Sequence, residues 1–338
     1  MSSINRVNWI DYAKAIGITL VVYGHVARGL VKSGLLADSV EFRYIDSIIY
    51  TFHMPLFFFL SGLFLLASFQ SKGFGRSLGS KVDTIIYPYI IWSLLQGGVE
   101  VLLSSYTNGD VSLGQVLSLF SEPRAQFWYL YALFFVFLVS LLSLRLMGVK
   151  ALYLLLTVSV SLYLFQPKLD LLINIGFITN NLVFFLAGAV FQQLRLIRFN
   201  CAYVLITLFI LSLIGQFLFH DAGFIYHDKG VLLLSLSLLT LVTVVSFAEW
   251  LSRFNLQSVA YVGASSMAIY LMHILAGSGV RVILDKVIGV DSLLIHLFLG
   301  TLLAILFPLL ALKVINHFKI PYVFSFPVSH YWQRKPNQ

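Results

Sequence analysis

The chain is 338 residues long, 59% hydrophobic and 11% charged, with a formal net charge of +8 and a mean hydropathy of +0.91. Soluble domains are usually about 45–50% apolar and about 25% charged, so a water-soluble core is excluded, and a disordered chain still more firmly. What remains is an all-α polytopic integral membrane protein, with apolar length for about ten helices at roughly 20 residues per crossing.

Taken in chain order, the apolar runs lie at 9–31, 47–69, 84–106, 127–147, 151–166, 178–194, 201–219, 231–248, 259–284 and 292–315. The first carries Asp11 and Lys14 near its start and has no small-residue cleavage site after it. It therefore reads as a spanning helix and not as a signal peptide. The fifth and sixth runs are short. No internal repeat or low-complexity tract interrupts the pattern, so residues 1–316 read as one membrane domain and residues 317–338 as a basic cytoplasmic tail. The single cysteine, Cys201, leaves neither an internal disulfide nor a thiol-based metal centre to consider.

Basic residues concentrate on the cytoplasmic side of a helical membrane protein. With the N-terminus inside, the inner segments hold thirteen, among them Arg6, Arg76, Lys81, Arg195, Arg198, Arg334 and Lys335; the outer segments hold eight, among them Arg28 and Arg43. Both termini are thus expected in the cytoplasm, and Asp83 and Glu249 fall inside. The positive charge is then a topology signal, and nucleic acid is an unnecessary partner.

Ionisable groups within a span cost roughly 2.5–3.5 kcal/mol each at a helix centre, against roughly 0.3–0.6 kcal/mol returned by a leucine. The first span carries Asp11, Lys14 and His25. Lys14 and His25 are eleven residues apart, so they lie about 20° from one face and about 16 Å apart along the axis. They can line one wall of a cavity without touching. Asp11, three residues before Lys14, is within reach of an ion pair, which also suits two side chains snorkelling to the inner interface. His53 in the second span and His273 in the ninth fall at a depth similar to that of His25. Three histidines at one level suggest a shared polar site; the bland reading is chance among eight, or helix–helix hydrogen bonding. A metal is not assigned, because spacing offers no carboxylate to orient a ligating imidazole.

These residues sit in stretches that resemble the membrane acyltransferase family 3, which includes polysaccharide O-acetyltransferases and the fucose 4-O-acetylase-related group. WIDYAKAIGITLVVYGHV resembles the opening signature: an acid, a basic residue, ten residues and a histidine, with Lys14 where many members have Arg. FHMPLFFFLSGLF, containing Ser61, resembles the second signature, and Arg76 and Lys81 before YPYIIWS the basic stretch ahead of a Pro-Tyr pair. FWYLYALF, containing Trp128 and Tyr129, and GASSMAIYLMH, containing Tyr270 and His273, resemble the later motifs in their order.

The resemblance implies a membrane O-acyltransferase, with no permanently bound cofactor and with acyl-CoA, usually acetyl-CoA, as donor from the cytoplasm. The acceptor would be a hydroxyl of a cell-surface glycan or glycolipid, and the place the bacterial cytoplasmic membrane, among lipid and polysaccharide-biosynthesis partners. No extracytoplasmic hydrolase-like domain follows, so the membrane domain is expected to complete transfer itself. A sugar hydroxyl is a poor nucleophile, and an imidazole is the natural general base near neutral pH. His25 takes this role, or that of a transient acyl carrier. Lys14 and Asp11 would serve the inner mouth. Arg76 and Lys81 would bind donor phosphates, unless they are only positive-inside signals. His53, Ser61, Trp128, Tyr129, Tyr270 and His273 are candidates for transition-state or acceptor contacts, each also readable as packing. The rival functions are a secondary transporter or a lipid or glycan flippase, and a non-catalytic assembly or sensor protein.

Overall fold

The computed structural model describes residues 8–103, 111–169, 175–194 and 201–333. Arg6, Arg195, Arg198, Arg334 and Lys335 of the topology argument lie outside them. Among the described residues every regular element is helical, as the composition requires. Among the described residues nine helical stretches are long and apolar enough to cross a membrane. The expected separation of the fourth and fifth spans appears as a bend within one stretch, Leu113–Gln166, whose 54 residues exceed one crossing. Gly148, at φ 68°, makes that bend.

Two compact units form. The first holds α1 (Asn8–Lys32), α2 (Val40–Tyr50), the start of α3 (His53–Gly62), α10 (Ala202–Asp221), α11 (Val231–Ser252), α12 (Gln257–Ala264), α13 (Ser266–Val282) and nearly all of α14 (Leu293–His317). The second holds the rest of α3, α4 (Leu65–Lys81), α5 (Tyr87–Leu102), α6 (Leu113–Leu117), α7 (Trp128–Met147), α8 (Ala151–Leu169), α9 (Gly176–Leu194) and α15 (Val328–Gln333).

In the first unit α1 packs against α11, α12 and α13. Gly263 of α12 lies against the backbone of Asp11, where no Cβ would fit. Without a hydrophobic force between helices in lipid, such close backbone approach is a main source of association. In the second unit the same device joins α3 and α9, through Gly62 against Phe185 and Gly188 against Phe59.

The second span, expected near 47–69, runs instead from Val40 to Gly62 and carries a two-residue turn at Thr51–Phe52. A helix starts at Val40, capped by Ser39 Oγ accepting from Phe42 N, and stops at Tyr50; a new one starts at His53 and stops at Gly62. The cause is Pro55, which has no N–H to give to the carbonyl four residues earlier. That carbonyl belongs to Thr51, and it accepts instead from Ser237 Oγ of α11 at 2.6 Å. A freed backbone group buried in a membrane protein must be satisfied internally, and here a neighbouring helix does it. The break places His53 at the first position of α3.

α4 breaks at Gly73, φ 71°, a conformation that favours glycine. It leads through a π-helical turn, Val82–Ile86, into α5. The segment expected to be a basic tail docks on this turn: Asp83 accepts from Ser329 N at 2.8 Å and Ser329 Oγ at 2.6 Å. Tyr87 Oη and Trp92 Nε1 donate to the carbonyls of Tyr322 and Val323.

Candidate active site

The strongest cluster of chemistry-bearing side chains among the described residues of the first unit is built on the C-terminal third of α1. His25 is half-buried, and its Nδ1 donates to the carbonyl of Val21, one turn back, at 2.9 Å. Donation from Nδ1 leaves the lone pair on Nε2. His273 of α13 packs its ring edge-on to His25, with centroids 5.0 Å apart. It is 1% exposed, its Nδ1 donates to the carbonyl of Tyr270 at 2.8 Å, and its Nε2 is buried without a hydrogen-bond partner. Val26 fills the space beside Gly277 of α13 and Gly300 of α14, which lets these helices come close next to the imidazole pair.

His53 is equally buried, and its Nδ1 donates to Ile49 O at 2.8 Å. Its ring meets Tyr50 edge-on at 4.3 Å. The Tyr50 ring lies against Gly24, the residue before His25, and beneath the Arg28 guanidinium, 3.5 Å from the centroid. His25 and His53 are therefore tied to one aromatic ring. All three imidazoles point one nitrogen at a local carbonyl and keep the other as an acceptor. Among the described residues no group of three or more His, Cys, Asp and Glu is arranged to hold a metal ion.

The remaining sequence candidates fall as follows. Asp11 is buried in the α1–α12 contact, and Lys14 is half-buried one turn on. Tyr270 is buried, with its ring 6.3 Å from His273. Ser61, Trp128, Tyr129, Arg76 and Lys81 belong to the second unit and take their places there. Ser61 Oγ and the Tyr129 hydroxyl are 3.5 Å apart, Phe58 packs edge-on to Tyr129, and Trp128 is half-buried. Arg76 is exposed, while the Lys81 ammonium sits over the Phe137 ring, 4.1 Å from its centroid.

Sequence reasoning missed four residues of the first cluster: Arg28, Asp46, Tyr50 and Tyr226. Arg28 was counted as an outer topology charge, yet it lies three residues after His25 on the same helix. That spacing was the available signal. Its guanidinium makes a two-pronged bond to Asp46, 2.8 and 2.7 Å, and donates to the Tyr226 hydroxyl at 3.0 Å. Tyr226 belongs to the loop between α10 and α11. In that loop burial pushes the Lys229 ammonium down to about 8, and burial with the nearby Lys229 and Arg28 charges holds His227 below its ordinary value.

A half-buried imidazole with one nitrogen fixed and the other open can accept a proton or an acyl group. Comparison with known proteins narrows the choice. A family profile described as an acyltransferase domain, of the acyltransferase 3 type, matches residues 7–313. The chain belongs to that family. The match covers every element from α1 to α13 and most of α14. The chain is also similar to nodulation protein NolL of Mesorhizobium japonicum, 32% identical over 136 residues, and to that of Sinorhizobium fredii, 28% identical over 136 residues. Those alignments cover 40% of this chain and 35% and 36% of the two relatives, so the chain spans about a third of the length of the curated relatives it matches. No solved structure matches it significantly.

Proposed function

We propose that this family member is a membrane O-acyltransferase that moves an acetyl group from acyl-CoA in the cytoplasm to a hydroxyl of a cell-surface or lipid-linked glycan. The observation that carries the reading is the state of His25: half-buried, fixed through Nδ1, and backed by the His273 ring. In direct transfer, His25 Nε2 takes the proton of the acceptor hydroxyl as its oxygen bonds to the thioester carbonyl carbon. The carbon–sulfur bond then breaks, and the proton passes to the leaving thiolate. In two-step transfer, Nε2 attacks the thioester carbonyl carbon, the carbon–sulfur bond breaks and the coenzyme A thiolate leaves. The acceptor hydroxyl then attacks the acyl-imidazole, whose C–N bond breaks to return neutral His25, and the hydroxyl proton goes to the thiolate.

Other residues take supporting roles in this proposal. Within the second unit the Ser61 and Tyr129 hydroxyls and the Trp128 ring N–H, and within the first the Tyr270 hydroxyl, are assigned as donors to the acceptor or the developing oxyanion, while His53 and His273 offer acceptor nitrogens. Arg76, exposed beyond the Gly73 break, and Lys81 bind the donor's phosphates. Lys14 and Asp11 serve the donor's entrance, with both termini cytoplasmic and the chain in the bacterial cytoplasmic membrane.

The test is transfer of label from radiolabelled acetyl-CoA to glycan or glycolipid in isolated membranes. Transfer by the wild type is expected. Its absence, with a solute carried across the membrane instead, overturns the reading in favour of a transporter. Arg76→Gln with Lys81→Gln should raise the KM for acetyl-CoA and leave that for acceptor unchanged.

A further inference from the structure

The histidine cluster accounts for a proton acceptor but not for what holds it in place. His25 rides on α1, whereas His53 begins α3 after a backbone break, so their separation depends on how α1 is fixed to the end of α2. Arg28 makes two contacts to α2, with Asp46 and Tyr50, and a third to the loop between α10 and α11. Its guanidinium forks onto Asp46, sits over the Tyr50 ring one turn further along α2, and reaches the Tyr226 hydroxyl.

We propose that Arg28 is a positioning residue, clamping α1 to Asp46 and Tyr50 so that the His25 imidazole is held at a fixed place relative to the start of α3. The planar guanidinium suits this work: the fork sets its angle against the carboxylate while its delocalised charge lies over a ring. A lysine could do neither together. The Asp46 side chain is only 11% exposed, so the pair is partly withdrawn from water, and removing one partner strands a charge. Gly24 completes the arrangement, because its missing side chain lets the Tyr50 ring settle against α1 one residue from His25. Any shift of Tyr50 moves both the Gly24 contact and the His53 edge contact, so the clamp couples the two imidazoles.

The kinetic arm of the test rests on the acyl-transfer reading; a labelling arm does not. In purified, correctly sized protein, Arg28→Gln should lower kcat about 100-fold, the cost expected of a displacement on the order of 1 Å, with both KM values nearly unchanged. Arg28→Lys should stay near that level, since charge survives and the fork does not. The exchanged pair Arg28→Asp with Asp46→Arg should recover about tenfold over Arg28→Gln by remaking one ion pair. Independently, carbethoxylation of His25 by diethyl pyrocarbonate, followed peptide by peptide, should change severalfold in rate in Arg28→Gln and Tyr50→Leu. If Arg28→Gln does not insert, Tyr50→Leu and Arg28→Lys carry both arms. Wild-type kcat in Arg28→Lys, or unchanged His25 labelling in Tyr50→Leu, would overturn the clamp. Should the wild type transfer no acyl group, the functional reading falls while the labelling rates still decide the clamp.

Discussion

α1 and α10 belong to the same unit and are both long enough to cross a bilayer, at 25 and 20 residues, yet they are built in opposite senses. α1 carries ionisable groups along its length, and neighbouring helices enclose it; Tyr12, Ala13, Ile18 and Val22 are fully buried beside Asp11. α10 turns Ile206, Phe209, Leu213 and Phe217 outward and buries Ser212, Gln216 and His220, one turn apart each. Its polar stripe is therefore its inner face. Ser212 pairs with Thr243, Gln216 donates to Thr51 and Thr240, and His220 accepts from Ser47. In lipid the apolar face needs no cover, while polar groups must find each other. One helix uses that rule to carry reactive groups, the other to hold α2 at the break that starts α3.

The comparison breaks most sharply at His25. His25→Ala should lower acyl transfer about 10²- to 10⁴-fold, the contribution expected of a positioned general base, and more if the imidazole carries the acyl group. Labelled acetyl transfer at matched membrane level checks this; wild-type rates would leave α1 with a scaffold role like that of α10.

Gly263→Val attacks the enclosure of α1. A Cβ there meets the carbonyl of Asp11, a backbone atom that cannot swing aside. Overpacking of this kind costs about 3 kcal/mol when neither helix can relax. The measurement is the melting temperature in detergent, followed by size-exclusion chromatography, and a variant as stable as the wild type would show that α12 can move off α1.

Much of this was legible before any coordinates. The helical membrane class follows from composition, and His25 and His273 stood out because an imidazole is costly among Leu, Val and Phe. Two features were not legible, for physical reasons. The break at Thr51–Phe52 has a written cause in Pro55, but a proline can equally sit in a kinked continuous helix; the outcome depends on Ser237, some 180 residues away, taking the freed carbonyl. Arg28 was counted among the outer topology charges although it falls inside the first apolar run, 9–31, because nothing in the sequence names its partners. Asp46, which pairs with the guanidinium, and Tyr50, whose ring lies under it, come from another helix and supply the partners that its charge requires.

Gln216→Leu tests the buried stripe of α10. It removes two donated bonds, to Thr51 and Thr240, from a buried site. Hydrogen bonds between membrane helices average about 0.6 kcal/mol and reach about 1.7 kcal/mol. A stability loss in that range is expected, with the larger value if Thr51 moves and the start of α3 loosens. No loss at all would mean that Ser237 alone holds the break.

The smallest effect belongs to the outer face. Ile206→Leu keeps the volume of a side chain that is 56% exposed in the structure. In a membrane that exposure is to acyl chains, which accept either isomer equally, so the change in stability should stay within about 0.5 kcal/mol. The same substitution at a close protein–protein contact would cost more, because packing there is shape-dependent and lipid is not. A larger loss in detergent, together with a change in apparent size, would therefore show another protein chain seated on α10. It would move this helix from the lipid-facing to the enclosed class that α1 represents.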